Sequence, residues 1–328
     1  MNEKDKKPEN AIEAVEILRG VHPDILICQL DSSSSDLFVT RERLSTGSLT
    51  LDKALGGGFV RGSFNEIFGP ESSGKSTVAL HAIAAGQTFG TAVLIDLENS
   101  FDPKYAKACG VDLAKLIVAQ PDCAEQAFDI IENLAEMSDV SIIVVDSVAG
   151  LVPRSEMEGD PGDAQMGLMA KLNRQHLRKL RPVVGRTKVV VLYINQITYK
   201  LAVKWGSPET TTGGTGFKYF CGSRIDVRKT SSQKESIEAE SIEVKARVVK
   251  NRTYKPFEEA IFHISFGKGI DRLQEVCDIA VEQGIITKKG AWFNYGETRL
   301  GQGAENMKKF LLDNETIRKE IYEKLKIG

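Results

Sequence analysis

Eight residues constrain this chain more than any others: Gly69-Pro70-Glu71-Ser72-Ser73-Gly74-Lys75-Ser76, followed by Thr77, fit G-x-x-x-x-G-K-[ST]. The glycines let successive backbone N–H groups turn toward one centre and wrap a phosphate chain. Lys75 places a point charge on the terminal phosphates, and the Ser76 hydroxyl is a ligand for Mg²⁺. The helix expected from Ser76 onward directs its positive N-terminal dipole at the same anion. FNEIF (64–68) before the turn and STVALHAIAAGQ after it supply the strand and helix that such a loop requires.

The flanking pattern sets the fold class. TAVLID (91–96), LIVAQ (116–120), SIIVVD (141–146) and KVVVLYIN (188–195) are apolar runs, with helical stretches near 102–108, 123–136 and 165–180 between them. Continuously apolar strands separated by helices predict an α/β core with a mostly parallel sheet covered on both faces. After residue 222, RIDVRK, IEVKARVVK and EAIFHISF follow one another without helices, which predicts an antiparallel extension. A helix over 11–20 precedes a Ser-rich linker at 32–35, and the charged segment at the far end reads as a small α+β lobe. The expected division is 1–36, 37–269 and 270–328.

Two carboxylates end strands. Asp146 closes SIIVVD at the edge where the phosphate loop opens, and is placed to hold the cation with Ser76. Glu98, after TAVLIDL, is a candidate to orient an attacking water, although an ordinary solvated Glu fits its spacing equally well.

Charge is balanced over the whole chain, with 43 Lys and Arg against 45 Asp and Glu in 328 residues, so a nucleic-acid surface would have to come from local segregation. Such segregation exists. From Ala164 to Pro208 there are nine basic residues and no acidic one, where the average would give about six acids. A buried strand accounts for KVVVLYIN but not for the rest. The remainder is a basic helix and the start of a Gly- and Thr-rich loop, ITYKLAVKWGSPETTTGGTG, a composition suited to single-stranded nucleic acid. Five Cys at least 14 residues apart and four scattered His exclude CxxC motifs and make a metal cage an unsuitable reading. The N-terminus has no apolar signal core and no apolar run nears the ~18 residues of a membrane span, so a cytoplasmic location is expected.

Over about residues 43–328 the sequence resembles the RecA family of recombinases. The likeness rests on LSTGSLTLDKALGGG (44–58), GPESSGKST (69–77), VVDSVAGLVPRSEMEG (144–159), MGL (166–168), INQI (194–197), SPETTTGG (207–214), VVKNR (248–252), and GAW with GQG near the end. It implies a RecA-type core that binds ATP and Mg²⁺, forms a helical filament on single-stranded DNA, and pairs that strand with duplex DNA for exchange. A ring-forming motor shares the loop and Asp146, but not SPETTTGG and MGL together with VVKNR. By the same resemblance Glu98 activates water, Asp102, Tyr105 and Phe266 contact the base, and Gln196 senses the terminal phosphate. Lys250 and Arg252 reach a neighbouring subunit's ATP site. Met166, Lys171, Arg178, Lys200, Leu201, Thr212, Gly213 and Gly214 meet DNA, within a first loop at 157–166, the basic helix and a second loop at 197–214.

This sequence departs from the family pattern at several positions. Thr198 stands where a basic residue is usual, Phe266 where Tyr is, and Arg252 where Lys is. Lys218-Tyr219-Phe220-Cys221 replaces Lys-Phe-Tyr-Ala, and Ala304 follows GQG in place of Lys. The sequence ends at EIYEKLKIG, where the family carries an acidic tail, so the restraint of that tail on duplex access is expected to be missing.

Overall fold

The computed structural model describes residues 10–22, 41–159, 167–199, 208–230 and 240–325. The chain divides into two units, residues 1–42 and 43–328. In the first, α1 (Ala11–Val21) begins because the Asn10 side chain accepts hydrogen bonds from the Ile12 and Glu13 amides, both at 3.0 Å. It buries no residue of its own, and Ile12, Ile17, Leu18 and Val21 are exposed.

The second unit opens with β1 (Arg43–Leu44), α2 (Leu49–Leu55) and β2 (Phe59–Val60). A large sheet then holds β3 (Phe64–Gly69), β4 (Thr91–Asp96), β5 (Leu116–Ala119), β6 (Val140–Asp146), β7 (Val190–Tyr199), β8 (Glu209–Thr211), β9 (Ser223–Lys229), β10 (Ser241–Asn251), β11 (Glu259–Ser265) and β12 (Gly269–Ile270). Its order is β12-β11-β10-β9-β3-β7-β6-β4-β5, with β8 paired to β7. The run from β9 to β5 is parallel, and β10 to β12 extend it antiparallel, as the loss of intervening helices after 222 predicts.

Side chains alternate across a strand, so each apolar run feeds two cores. Leu94, Val144, Leu192 and Ile194 face α3 (Lys75–Gly86) in one core. Val93, Ile95, Val145 and Tyr193 share the other with α5 (Ala124–Ala135) and α7 (Leu168–Thr187). The short α4 (Pro103–Ala108) lies between α3 and α5 in sequence, and α6 (Arg154–Glu158) between α5 and α7. The helix expected to end near 180 runs on through Pro182 to Thr187. Buried Leu180 and Val184 hold it to the sheet across the one hydrogen bond that proline forfeits.

A second difference concerns the loop expected at 197–214. Ile197–Tyr199 continue β7 and pair antiparallel with Thr211–Glu209, giving the segment a two-stranded stem. The stem leads into α8 (Gly214–Phe220).

The C-terminal domain packs α9 (Arg272–Glu282), α10 (Ala304–Asp313) and α11 (Glu315–Leu325) with a three-stranded sheet, β13 (Thr287–Lys289), β14 (Trp292–Tyr295) and β15 (Thr298–Gln302). Val276, Cys277, Phe293, Leu300, Met307 and Leu311 form its own core. It is pinned to the start of α2 by buried Glu275, which accepts from Ser48 Oγ at 2.6 Å, Thr50 Oγ1 at 2.7 Å and the Leu49 and Thr50 amides. Four donors on one carboxylate offset its desolvation. Nearby, His81 Nε2 of α3 accepts from the Ile270 amide at 2.9 Å, and burial pushes this imidazole down to about 4, so it stays a neutral acceptor.

Candidate active site and nucleic-acid interface

The parallel strands end at one edge of the sheet, and the loop Gly69–Thr77 leaves β3 there. Gly74 has φ +95°, a conformation that L side chains resist, and a Cβ on it would stand 2.4 Å from Ile264 Cδ1. A Cβ on Gly69 would stand 2.0 Å from the Val227 carbonyl oxygen. Both glycines are therefore dictated by close approach of the loop to β9 and β11. Within the loop, Lys75 Nζ donates to the Pro70 carbonyl at 2.6 Å. Burial lowers the Lys75 ammonium from its ordinary value, with Asp146, Glu98 and Glu71 opposing the shift. Ser73 Oγ is buried with no hydrogen-bond partner among the described residues.

Ser76 Oγ donates to Asp146 Oδ2 at 2.9 Å, which unites two residues 70 apart in sequence, as their spacing on strand and helix predicts. Burial raises the Asp146 carboxyl to about 6, helped by Glu98 and Asp96 and opposed by Ser76 and Lys75. A hydroxyl and a carboxylate this close are the hard oxygen donors that suit Mg²⁺. Together with the closely packed glycines and the unpartnered Ser73 hydroxyl, they make a set that fits a cation-bound polyphosphate.

Two clefts adjoin the loop. One of about 250 Å³ is lined by Ser72–Thr77, Tyr105, Ile264 and Phe266. The other, about 90 Å³, is lined by Ser76, Leu80, Phe101, Asp102, Tyr105 and Asp146. Tyr105 thus faces both, and its hydroxyl lies 2.8 Å from Thr77 Oγ1. Asp102 and Phe266, both placed at the base by the resemblance, line different clefts. Asp102 also caps α4 by accepting from the Lys104 and Tyr105 amides.

Glu98 is exposed and held from two sides. Ser147 Oγ donates to its Oε1 at 2.6 Å, and Gln196 Nε2 to the same oxygen at 3.0 Å. Buried Asp96, which sequence reasoning passed over, shapes the turn beneath by accepting from the Ser100 and Phe101 amides and from Gln120 Nε2.

Lys250 and Arg252 line neither cleft of their own chain. Lys250 Nζ donates to the Lys218 carbonyl at 2.7 Å and the Tyr219 carbonyl at 3.2 Å, and Arg252 donates to Tyr219 as well, so both sit on the C-terminal carbonyls of α8. Burial, with Arg252 beside it, lowers the Lys250 ammonium.

The other end of α8 carries Thr212, Gly213 and Gly214. Gly213 has φ +87°, and a Cβ there would meet Val148, Asn173 and Phe217 at 3.2–3.4 Å. Lys171 and Arg178 lie exposed on α7, which packs against α8. Arg174 falls between them on the same face, at i+3 from Lys171 and i−4 from Arg178. It is the cation of the three that borders α8, since a methyl on Gly216 would touch its Cδ at 4.0 Å. None of these three has a hydrogen-bonding or ion-pairing partner among the described residues, whereas Lys179, on another face, pairs with Glu132. Met166, Lys200 and Leu201 lie outside the described residues.

The sequence matches the RecA N-terminal domain over residues 13–271 and the RecA C-terminal domain over residues 274–327. The chain belongs to the RecA family. It is 48% identical over 315 residues to Protein RecA of Chlorobaculum tepidum, covering 95% of this chain and 90% of that protein. It is 49% identical over 287 residues to Protein RecA of Clostridium novyi, covering 87% and 82%. RecA proteins are DNA-dependent ATPases, and this homologue is a recombinase of DNA recombination and repair. Membership implies ATP binding, DNA binding and filament formation. No helix among the described residues is long and apolar enough to cross a membrane.

Proposed function

We propose that this chain hydrolyses Mg²⁺-ATP at the seam between adjacent protomers of a filament built on single-stranded DNA, and exchanges that strand with homologous duplex. The loop Gly69–Thr77 binds the phosphates through its amides and Lys75. Ser76 and Asp146 hold the cation, which when bound draws charge from the phosphate oxygens. Tyr105 and Phe266 wall the base-binding cleft, with Asp102 on its flank. Glu98 orients the attacking water.

The observation that carries this reading is the Gln196–Glu98 hydrogen bond. Gln196 lies on β7, one residue before Ile197, where the stem of the DNA segment begins. A change at the water-orienting carboxylate is thereby one side chain away from the DNA face. On that face Thr212, Gly213 and Gly214 offer backbone donors, and Lys171, Arg174 and Arg178 offer charge to phosphates. Met166, Lys200 and Leu201 are assigned to DNA contact by resemblance. Arg174 supplies a cation beside α8, while Thr198 leaves the stem without the basic residue usual in the family.

Lys250 and Arg252 act in trans on the neighbour's phosphates. Such cations are worth ~10³–10⁵ in rate in GTPase analogues. Their perch on α8 joins them to the helix whose other end carries the diglycine turn. The division is 1–36, 37–269 and 270–328, with α1 assigned to contact between protomers; Ala304 in place of Lys makes the last lobe a weaker surface for capturing duplex DNA, and the setting is cytoplasmic.

The test is ATP hydrolysis by the purified full chain with and without single-stranded DNA, beside negative-stain imaging. A stimulation of tenfold or more, with open helices on the DNA, is expected on the scale of trans-activated phosphoryl transfer. No stimulation, or closed rings, contradicts the proposal.

A further inference from the structure

The apolar strand β3 that feeds the phosphate loop carries one acid, Glu66, whose side chain is fully buried. β3 lies between β7 and β9, and the carboxylate is shared by both neighbours. Its Oε1 accepts from Asn195 Nδ2 of β7 at 2.9 Å, and its Oε2 accepts from Arg224 Nε of β9.

Each partner continues to the same place. Asn195 Nδ2 also donates to the Thr212 carbonyl at 3.1 Å, and its Oδ1 accepts from Thr212 Oγ1 and from the Gln196 amide. Arg224 Nη2 donates to Thr211 Oγ1 at 3.3 Å. The last two residues before the Gly213–Gly214 turn therefore hang from Glu66 by two arms, and one arm also holds the backbone of Gln196.

A buried ion pair contributes little net stability compared with apolar residues of the same volume, because desolvation offsets the attraction. What such a group does supply is a defined geometry, since moving any member strands a buried charge or donor. Here the geometry is the distance between the strand that carries the phosphate loop and the stem that carries the DNA-binding turn.

We infer that Glu66 is a positioning residue that transmits the state of the phosphate loop to the Thr211–Gly214 segment through Asn195 and Arg224. The inference rests on the nucleotide and DNA assignments proposed above. Coupling between two sites spans roughly 5–150-fold in affinity, and this path carries it beside the Gln196–Glu98 contact.

The experiment measures three quantities on the full chain. They are affinity for a fluorescent ATP analogue, affinity for a labelled oligo-dT without nucleotide, and affinity for the same oligonucleotide with a non-hydrolysable ATP analogue. Glu66→Gln keeps the shape and one acceptor but removes the charge. It is expected to leave the first two affinities within about twofold while cutting the ATP-dependent gain in oligonucleotide affinity about tenfold.

Thr211→Val, at the far end of the Arg224 arm, is expected to cut the gain a few-fold, and the double variant no further than Glu66→Gln alone. An unchanged gain in Glu66→Gln overturns the inference, as does a loss of nucleotide affinity equal to the loss of gain, which would mark a structural role. If Glu66→Gln does not fold, an unchanged gain in Thr211→Val overturns it instead. A wild-type chain with no gain at all speaks against the proposed function, not against Glu66 in particular.

Discussion

The nucleotide site and the DNA face use charge in opposite ways. Around the phosphate loop most of the groups assigned to the chemistry have partners inside the molecule: Lys75 on Pro70, Ser76 on Asp146, and Ser147 and Gln196 on Glu98. On α7 the cations Lys171, Arg174 and Arg178 have none among the described residues. A prearranged, partly buried site recognises a ligand by geometry and loses little to salt. A row of solvated cations recognises a polyanion by counterion release and loses affinity steeply as salt rises. On the proposed reading one chain holds a specific fuel site and a sequence-tolerant polymer site, and the two demand different tests.

The largest expected effect falls on the fuel side. Lys75→Ala removes the only ammonium in the loop and should reduce DNA-stimulated ATP hydrolysis by at least 10²-fold, the scale of losing a preorganised transition-state contact. Its thermal unfolding should stay near wild type, because the one side-chain hydrogen bond of Lys75 among the described residues is to its own loop. Hydrolysis at the wild-type rate would clear the loop of its assigned role.

Next comes the joint between the regions. Gly213→Asp forces a side chain onto φ +87° and presses it on Val148, Asn173 and Phe217, which distorts the turn assigned to phosphate binding. Oligonucleotide affinity should fall tenfold or more while affinity for an ATP analogue stays within about twofold, given strain of ~1–3 kcal/mol confined to the turn. Equal losses would show that the turn serves the core alone.

The smallest effect sharpens the contrast most. Arg174→Ala should weaken oligonucleotide binding only a few-fold, yet flatten the slope of log affinity against log salt by about 0.7, the value for one neutralised phosphate on a single strand. The slope should be unchanged in Arg174→Lys, which keeps the charge. An unaltered slope in Arg174→Ala would remove it from the interface.

Much of this was legible in the sequence, because the relevant signals are local. Gly69–Ser76 is one contiguous motif, and Asp146 ends an apolar run whose place in a parallel sheet follows from the alternation with helices. The antiparallel extension after 222 was likewise visible as strands without helices. What escaped depends on neighbours remote in sequence. Glu66 looks like a misplaced acid in FNEIFG until β7 and β9 bring Asn195 and Arg224 to its two sides. Arg174 belonged to a basic run in which nothing local says which cation borders α8. The 197–214 segment read as loop throughout, because its stem exists only when Ile197–Tyr199 find Thr211–Glu209. Lys250 and Arg252 were marked by resemblance, but their seat on the carbonyls of Lys218 and Tyr219 needed the fold.

The central claim is that occupancy of the phosphate loop governs the DNA face. Its most direct test is equilibrium binding of a labelled single-stranded oligonucleotide to the purified chain, titrated with Mg²⁺ and a non-hydrolysable ATP analogue. Affinity should rise at least fivefold on saturation, within the usual range of coupling between sites, and the rise should vanish in Lys75→Ala. Equal affinity with and without nucleotide in the wild-type chain would contradict the account.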